Sequence, residues 1–262
     1  MFSATHPDAP AGAGDSVWTR LVRGGYPEAT ERDAPERRER WVESYVTTIL
    51  QRDVRDLARI EGLSEMPRLL ALVAARTATL LNAAELSRSS GLPASTLKRY
   101  LTLLQATFLV RELPAWSTNL SKRLVKSPKL LVVDSGLAAH LTGFEAPGDG
   151  AVDLPRFLLE TFVVGELAKQ AGWNRRHVSL HHYRTQRGRE VDVVLENRAG
   201  RVVGGEVKSA GSVSGRDFRG LESLRDERPE AFQRGVVLYT GSDVVPFGDG
   251  LAAVPMSALW EW

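Results

Sequence analysis

Two neighbouring segments carry acids and a lysine at a spacing suited to metal-assisted hydrolysis. Arg189-Glu190-Val191-Asp192-Val193-Val194-Leu195-Glu196 and Val202-Val203-Gly204-Gly205-Glu206-Val207-Lys208 flank the turn residues Asn197-Arg198-Ala199-Gly200-Arg201. Both alternate as strands do, so the segment reads as a hairpin. A three-residue loop Arg198-Ala199-Gly200, with Gly200 in the left-handed position, puts Asp192 opposite Glu206 and Glu190 opposite Lys208. Carboxylates directly across a ladder repel unless a cation lies between them. With no cysteine in the chain, the expected cation is hard and oxygen-loving, Mg2+ or Mn2+. Lys208 follows Glu206 on the same strand face, where it could activate a water or steady a phosphate. A surface hairpin of alternating charges would carry the same pattern.

A helix over about Leu154–Gln170 precedes the hairpin, with Phe157, Thr161, Val164, Leu167, Ala168 and Ala171 on its core stripe. Glu160 falls on that stripe. A carboxylate among core positions is costly unless it is paired or binds a metal, so Glu160 joins Asp192 and Glu206 as a candidate ligand. Glu166 lies on the other side near Lys169 and reads as a solvated pair. Before the helix, residues 145–153 have a linker's composition, which sets an expected domain boundary near residue 150.

The first half reads as mostly helical. Residues 1–16, rich in Ala, Gly, Pro and Asp, are expected to form a disordered leader. Residues 36–59 follow helical periodicity through Trp41, Tyr45, Ile49, Val54 and Leu57, and a second helix is expected over 66–77. Asn82 then caps a short helix, Gly91 breaks it, and residues 93–105 form the next, a helix-turn-helix pattern. Ser95, Thr96, Lys98 and Arg99 line one side of that second helix, while Leu97, Leu101 and Leu104 line the other. Such a helix can present its first turns to base edges. Apolar runs at 108–110 and 129–133 flank the acid-free segment Ser-Lys-Arg-Leu-Val-Lys-Ser-Pro-Lys, giving Lys122, Arg123, Lys126 and Lys129 the places of a basic wing. A phosphate-binding surface and a plain solvated loop fit this segment equally, and a winged helix can also pack on protein.

The whole chain, 262 residues with 43% hydrophobic and 25% charged, suits a soluble globular protein of one large domain or two small ones. The lack of cysteine excludes a disulfide scaffold, a thiolate zinc site and a cysteine nucleophile. Net charge is only +2, so overall charge does not point to nucleic acid. No apolar run is long enough to span a bilayer, and the first residues lack a signal peptide's pattern; a cytoplasmic protein is expected. His181 and His182 are adjacent and cannot both face one metal from a regular strand; a transition-metal site with His177 is the alternative to reading them as edge or DNA-contacting residues. Asp134-Ser135-Gly136 lacks the nucleophile elbow of serine hydrolases. Arg184, Arg187 and Arg189 surround Gly188 just before the hairpin, placed either to hold a nucleic-acid backbone or in a solvated turn.

Glu160, Asp192 and Glu206-Val207-Lys208 resemble the PD-(D/E)xK nuclease superfamily, whose core is a helix bearing Glu followed by a hairpin bearing Asp and then Glu-x-Lys. A helix around residues 217–227, the strand Gly235-Val236-Val237-Leu238-Tyr239 and a closing segment ending at Trp260 agree in order, although Val191 stands where that pattern has proline. Over almost its whole length the chain also resembles the region following the ATPase core in many bacterial and archaeal AAA-type ATP-binding proteins. Gly24-Gly25-Tyr26-Pro27, Tyr45 through Val54, Lys126-Ser127-Pro128-Lys129, Asp134-Ser135-Gly136-Leu137, Leu159-Glu160-Thr161-Phe162-Val163-Val164 and the hairpin carry that likeness. It implies an α/β fold of mixed α+β type: a helical winged-helix domain over 17–149, then an αβββαβ restriction-endonuclease-like domain over 150–262. It also implies a metal-dependent DNA-cleaving hydrolase. Asp192, Glu206 and Glu160 would then hold the ion and Lys208 would orient water, with DNA and a separate AAA-type ATPase as partners. The alternative is an inactive DNA-binding or regulatory module of the same fold. No Gly-x-x-x-x-Gly-Lys-[Ser/Thr] occurs, so no ATP site is expected in this chain.

Overall fold

A computed structural model describes residues 16–54, 63–119, 121, 123, 126–145 and 155–261. Most of the expected leader, the expected boundary near residue 150 and Lys122 lie outside them. The chain is a mixed α/β protein with two sheets. No helix among the described residues is long and apolar enough to cross a membrane.

The first half opens with α1 (Val17–Arg23), α2 (Pro27–Thr30) and α3 (Pro35–Thr48), the last running on through a π-turn at Ile49–Asp53. Next, α4 (Met66–Ala74) buries Met66, Leu69, Leu70, Val73 and Ala74, the spacing of one helix face. It ends earlier than expected because Thr77 is used elsewhere: its hydroxyl accepts from Val132 N at 3.0 Å and meets Thr161 Oγ1 at 2.8 Å. After β1 (Thr79–Leu80), Asn82 caps α5 (Ala83–Ser90) by accepting from Glu85 N at 3.1 Å. Such a cap is worth about 1 kcal/mol. Gly91, at φ +75°, ends α5, and α6 (Ala94–Ala106) follows with Leu97, Tyr100, Leu101 and Leu104 inward.

β2 (Val110–Leu113) and β3 (Lys129–Val132) complete a three-stranded antiparallel sheet of order β1-β3-β2. The strand expected from Phe108 starts only at Val110, because Phe108 takes φ +56° in a turn with its ring exposed.

Beyond α7 (Ser135–Thr142), the long α8 (Arg156–Trp173) leads into β4 (Val178–Arg184), β5 (Glu190–Asn197) and β6 (Val202–Val207). After β6, α9 (Arg219–Glu227) crosses to a parallel strand, β7 (Phe232–Tyr239). With β8 (Val245–Pro246) and β9 (Leu251–Pro255) these strands form a six-stranded sheet of order β4-β5-β6-β7-β9-β8. The β5–β6 register pairs Val193 with Gly205, Val194 with Gly204, Leu195 with Val203 and Glu196 with Val202. Gly200 sits at φ +73°, and the Asn197 side chain accepts from Ala199 N and Arg201 N, each at 3.0 Å. Loop and register thus follow the sequence's turn chemistry.

Leu221 and Leu224 of α9 pack with Val191, Val194, Val202 and Val237. On α8, Val164 packs with Val193 of the large sheet and with Leu113 and Leu131 of the small one. A larger apolar cluster runs from Leu21, Leu70, Leu104 and Val132 through Leu158 and Val163 to Val207, Leu238 and Leu259. Helix α8 therefore lies between the halves and is buried all round from Leu158 to Val164, where the sequence suggested a single stripe. That position puts Glu160 deep inside.

Candidate functional site

The site is assembled by α8, by a defect in β5, and by the start of β3. Tyr183 pairs with Val191 while His181 pairs with Val194, so Asp192 and Val193 together lie opposite the single β4 residue His182. This β-bulge breaks the alternation of the strand. Val193 packs against Val164 of α8, and Asp192, fully buried, reaches the α8 residue Arg156 as well. The β5–β6 pairing stops at Val193 and Gly205, and the Asp192 carboxylate replaces the ladder by accepting from Val207 N at 3.0 Å.

Two cations of the chain itself meet these acids. Lys129 Nζ donates to Glu160 Oε1 and lies 3.2 Å from Asp192 Oδ1. Arg156 Nη2 lies 3.2 Å from Asp192 Oδ1 and 3.4 Å from Glu206 Oε1. The Lys129 side chain is only 6% exposed, whereas that of Arg156 is 55% exposed. Glu206 Oε2 is buried without a hydrogen-bond partner.

Three buried carboxylates thus share two cations, and the balance shows in their acidities. Burial first, then the Asp192 charge, pushes Glu206 up to about 8 against Arg156, Lys208 and Lys129. The same two causes push Glu160 up to about 8, opposed by Lys129 and Arg156. Burial works against the Lys129 ammonium, but Glu160 and Asp192 outweigh it and hold its proton more tightly than usual. Burial and the Asp192 charge therefore make both Glu160 and Glu206 hold a proton to higher pH than an exposed carboxylate does.

Lys208 acts on Glu206 through its charge but makes its ion pair elsewhere. Its Nζ lies 3.1 Å from Asp217 Oδ1, and Glu190, expected opposite Lys208, pairs instead with Arg184 at 2.9 Å. Strand β6 ends at Val207, although Lys208 N still donates to Leu238 O at 2.9 Å. Among the described residues no group of three or more His, Asp or Glu side chains is arranged to hold a metal ion. Three carboxylates are a suitable donor set for Mg2+ or Mn2+, but Lys129 and Arg156 take the positions between them, so the arrangement does not fit a metal.

The nucleic-acid candidates divide. On α6, Ser95, Lys98 and Arg99 are exposed and Thr96 half-buried. Lys126 and Arg187 are also exposed. Two others need correction. Lys129, expected on a basic wing, points inward, because its strand is paired on both sides and its ammonium is drawn to two buried carboxylates. Arg123 is half-buried and clamps Glu196 of β5 through two hydrogen bonds of 2.5 and 2.9 Å. The chain around Trp116 also docks on the edge strand β4, with Trp116 N donating to His182 O at 2.6 Å and His182 N to Pro114 O at 2.9 Å. Covering that edge satisfies backbone groups that would otherwise be open. His181 and His182 are consequently buried rather than edge-exposed, and burial lowers His182 to about 4. Its Nε2 faces Ser127 O at 3.1 Å.

A cleft of about 690 Å³ leads from the outside to Lys129, Glu160 and Arg156, passing Arg76, Asn82, Glu85, Arg184 and Glu190. Arg76 is held by Glu85 at 3.2 Å and Arg184 by Glu190. Sequence reasoning missed Arg156 and the inward turn of Lys129. The first had a signal, since Arg156 precedes Glu160 by four residues and so shares its helix face. A lysine at the head of the apolar run Leu130-Leu131-Val132-Val133 was a weaker one.

Two described families match separate stretches of the chain. A family described as Domain of unknown function (DUF8612) matches residues 14–148, and the chain belongs to it. A second, described as Domain of unknown function (DUF4143), matches residues 156–259. The chain is 31% identical to the uncharacterized protein Mb2031c of Mycobacterium bovis, over 97% of this chain and 55% of that protein. The same figures hold for the uncharacterized protein Rv2008c of Mycobacterium tuberculosis. The chain thus spans about half the length of the curated relatives it matches. No solved structure matches it.

Proposed function

We propose that the chain is a DNA-binding module on a nuclease-like scaffold, acting beside a AAA-type ATPase, with its carboxylate cluster closed by its own cations. The exposed Ser95, Lys98 and Arg99 on the first turns of α6, directly after the Gly91 turn, carry this reading. A helix so placed can enter a groove with donors forward and its leucines held in the core. The order α4-β1-α5-α6-β2-β3, with sheet order β1-β3-β2, supports a winged helix. Helix α8, the β4–β5–β6 meander, α9 and β7 support the PD-(D/E)xK likeness. The ATPase partnership rests on the resemblance and on the length of the relatives beyond the matched region.

Duplex binding followed by fluorescence anisotropy tests this. The full chain should bind, and Lys98→Glu with Arg99→Glu should abolish binding without lowering the melting temperature. Binding that is indifferent to both substitutions would remove α6 as the reading surface. A second reading, Mg2+- or Mn2+-dependent cleavage of DNA, draws support from the convergence of Glu160, Asp192 and Glu206 and from the unpartnered Glu206 Oε2. It requires the two cations to rearrange.

A further inference from the structure

The carboxylate cluster contains a cation that cannot easily leave and another that can. Arg156 sits in the first turn of α8 with its side chain more than half exposed, so it has a route into solvent if its contacts to Asp192 and Glu206 break. Lys129 differs in every respect. Its backbone pairs with Leu80 on one side and Leu113 on the other, its side chain is buried, and its ammonium bridges Glu160 and Asp192.

We propose that Lys129 is a built-in counter-cation that excludes divalent metal from the Glu160–Asp192–Glu206 cluster, so that a metal site exists only when Lys129 is withdrawn. The inference deepens the closed-cluster reading and is separable from DNA binding, because it is read without nucleic acid.

Three features carry it. First, the ammonium lies between Glu160 and Asp192, where a divalent ion bridging those two residues would have to sit. A divalent ion beside it would meet the positive charge of the ammonium at close range. Second, Glu206 reaches the cluster through Oε1, which contacts Arg156 at 3.4 Å, and its Oε2 is buried and unpartnered, a spare oxygen donor on the same carboxylate. Third, Lys129 comes from the small sheet while the carboxylates come from α8 and the large sheet, so separating the sheets at β3 would withdraw the lysine and leave the acids together. Lys129 is in this sense a plug delivered by one half of the chain into the other.

The test is Mn2+ binding to the full-length protein, measured by electron paramagnetic resonance and by titration calorimetry. Wild-type protein should bind Mn2+ no tighter than the millimolar range. Lys129→Met, which keeps the length of the side chain and removes the charge, should bind one Mn2+ at least about tenfold more tightly. Adding Asp192→Asn to it should abolish that gain. Lys129→Gln provides a second variant if the methionine form fails to fold, and circular dichroism identifies which variants are folded. Equal binding by wild-type and a folded Lys129 variant would overturn the proposal. So would micromolar binding by the wild type alone, or a folded variant that gains none.

Discussion

Lys129 donates to Glu160 across the junction between the small sheet and α8, the shortest ionic contact in a cluster that also holds Asp192, Arg156 and Glu206. It joins residues 31 positions apart and couples the two halves electrostatically as well as through their shared apolar core. The consequences are measurable.

Removing the lysine leaves buried charge uncompensated. Lys129→Ala should cost roughly 3–5 kcal/mol in urea unfolding, the range for breaking one partner of a buried pair. Adding Glu160→Gln to the same chain should restore part of that loss, because fewer charges then remain unpaired. A double-mutant cycle reads this coupling directly.

The raised proton affinity of Glu160 and Glu206 gives stability a pH dependence of definite sign. Glu206 is held up to about 8 in the folded protein by burial and Asp192, against an unfolded value of roughly 4.3. Between those values the folded state binds more protons than the unfolded one, so stability must fall as pH rises. One such group gives at most about 1.4 kcal/mol per pH unit. Urea midpoints should therefore drop from about pH 5 to about pH 8 in the wild type, and Glu206→Gln should flatten that slope.

If α6 meets DNA phosphates, binding must respond to salt. Each phosphate contact contributes roughly 0.9 to the slope of log K against log salt. Lys98→Ala and Arg99→Ala should each reduce the slope by about that amount, whereas Arg123→Ala, whose cation is committed to Glu196, should leave it unchanged.

Close packing of α9 on β5 makes Gly220 sensitive to a single methyl group. A Cβ there would lie 1.8 Å from Glu190 O, a backbone atom that cannot rotate aside. Gly220→Ala should therefore destabilise by roughly 3 kcal/mol. A Cβ at Gly204 would meet the Leu221 and Leu224 side-chain ends instead, so Gly204→Ala should cost less in the same thermal-unfolding series.

What the sequence made legible was local. Asn82, Gly91 and Gly200 announce a cap and two turns through their own chemistry, and the β5–β6 register followed from the Gly200 loop. Glu160 stood out because a carboxylate on a core stripe demands a partner. The partner itself was hidden. Lys129 reaches Glu160 through strand pairing with β1 and β2, a long-range relation that an acid-free basic segment disguises as a solvated surface. The β5 bulge was hidden too, since residues 190–196 look regular and only the pairing with β4 shows that Asp192 and Val193 share one partner. The ion partner of Lys208 was hidden as well: alternation put Lys208 beside Glu206, on which its charge does act, but its ammonium pairs with the distant Asp217.

A closed carboxylate cluster would leave the chain able to hold DNA without cutting it. Supercoiled plasmid incubated with the full-length protein and Mg2+ or Mn2+ tests this most directly. The expected result is a retarded band with no nicked or linear product. Metal-dependent nicking that disappears in Asp192→Asn would contradict it.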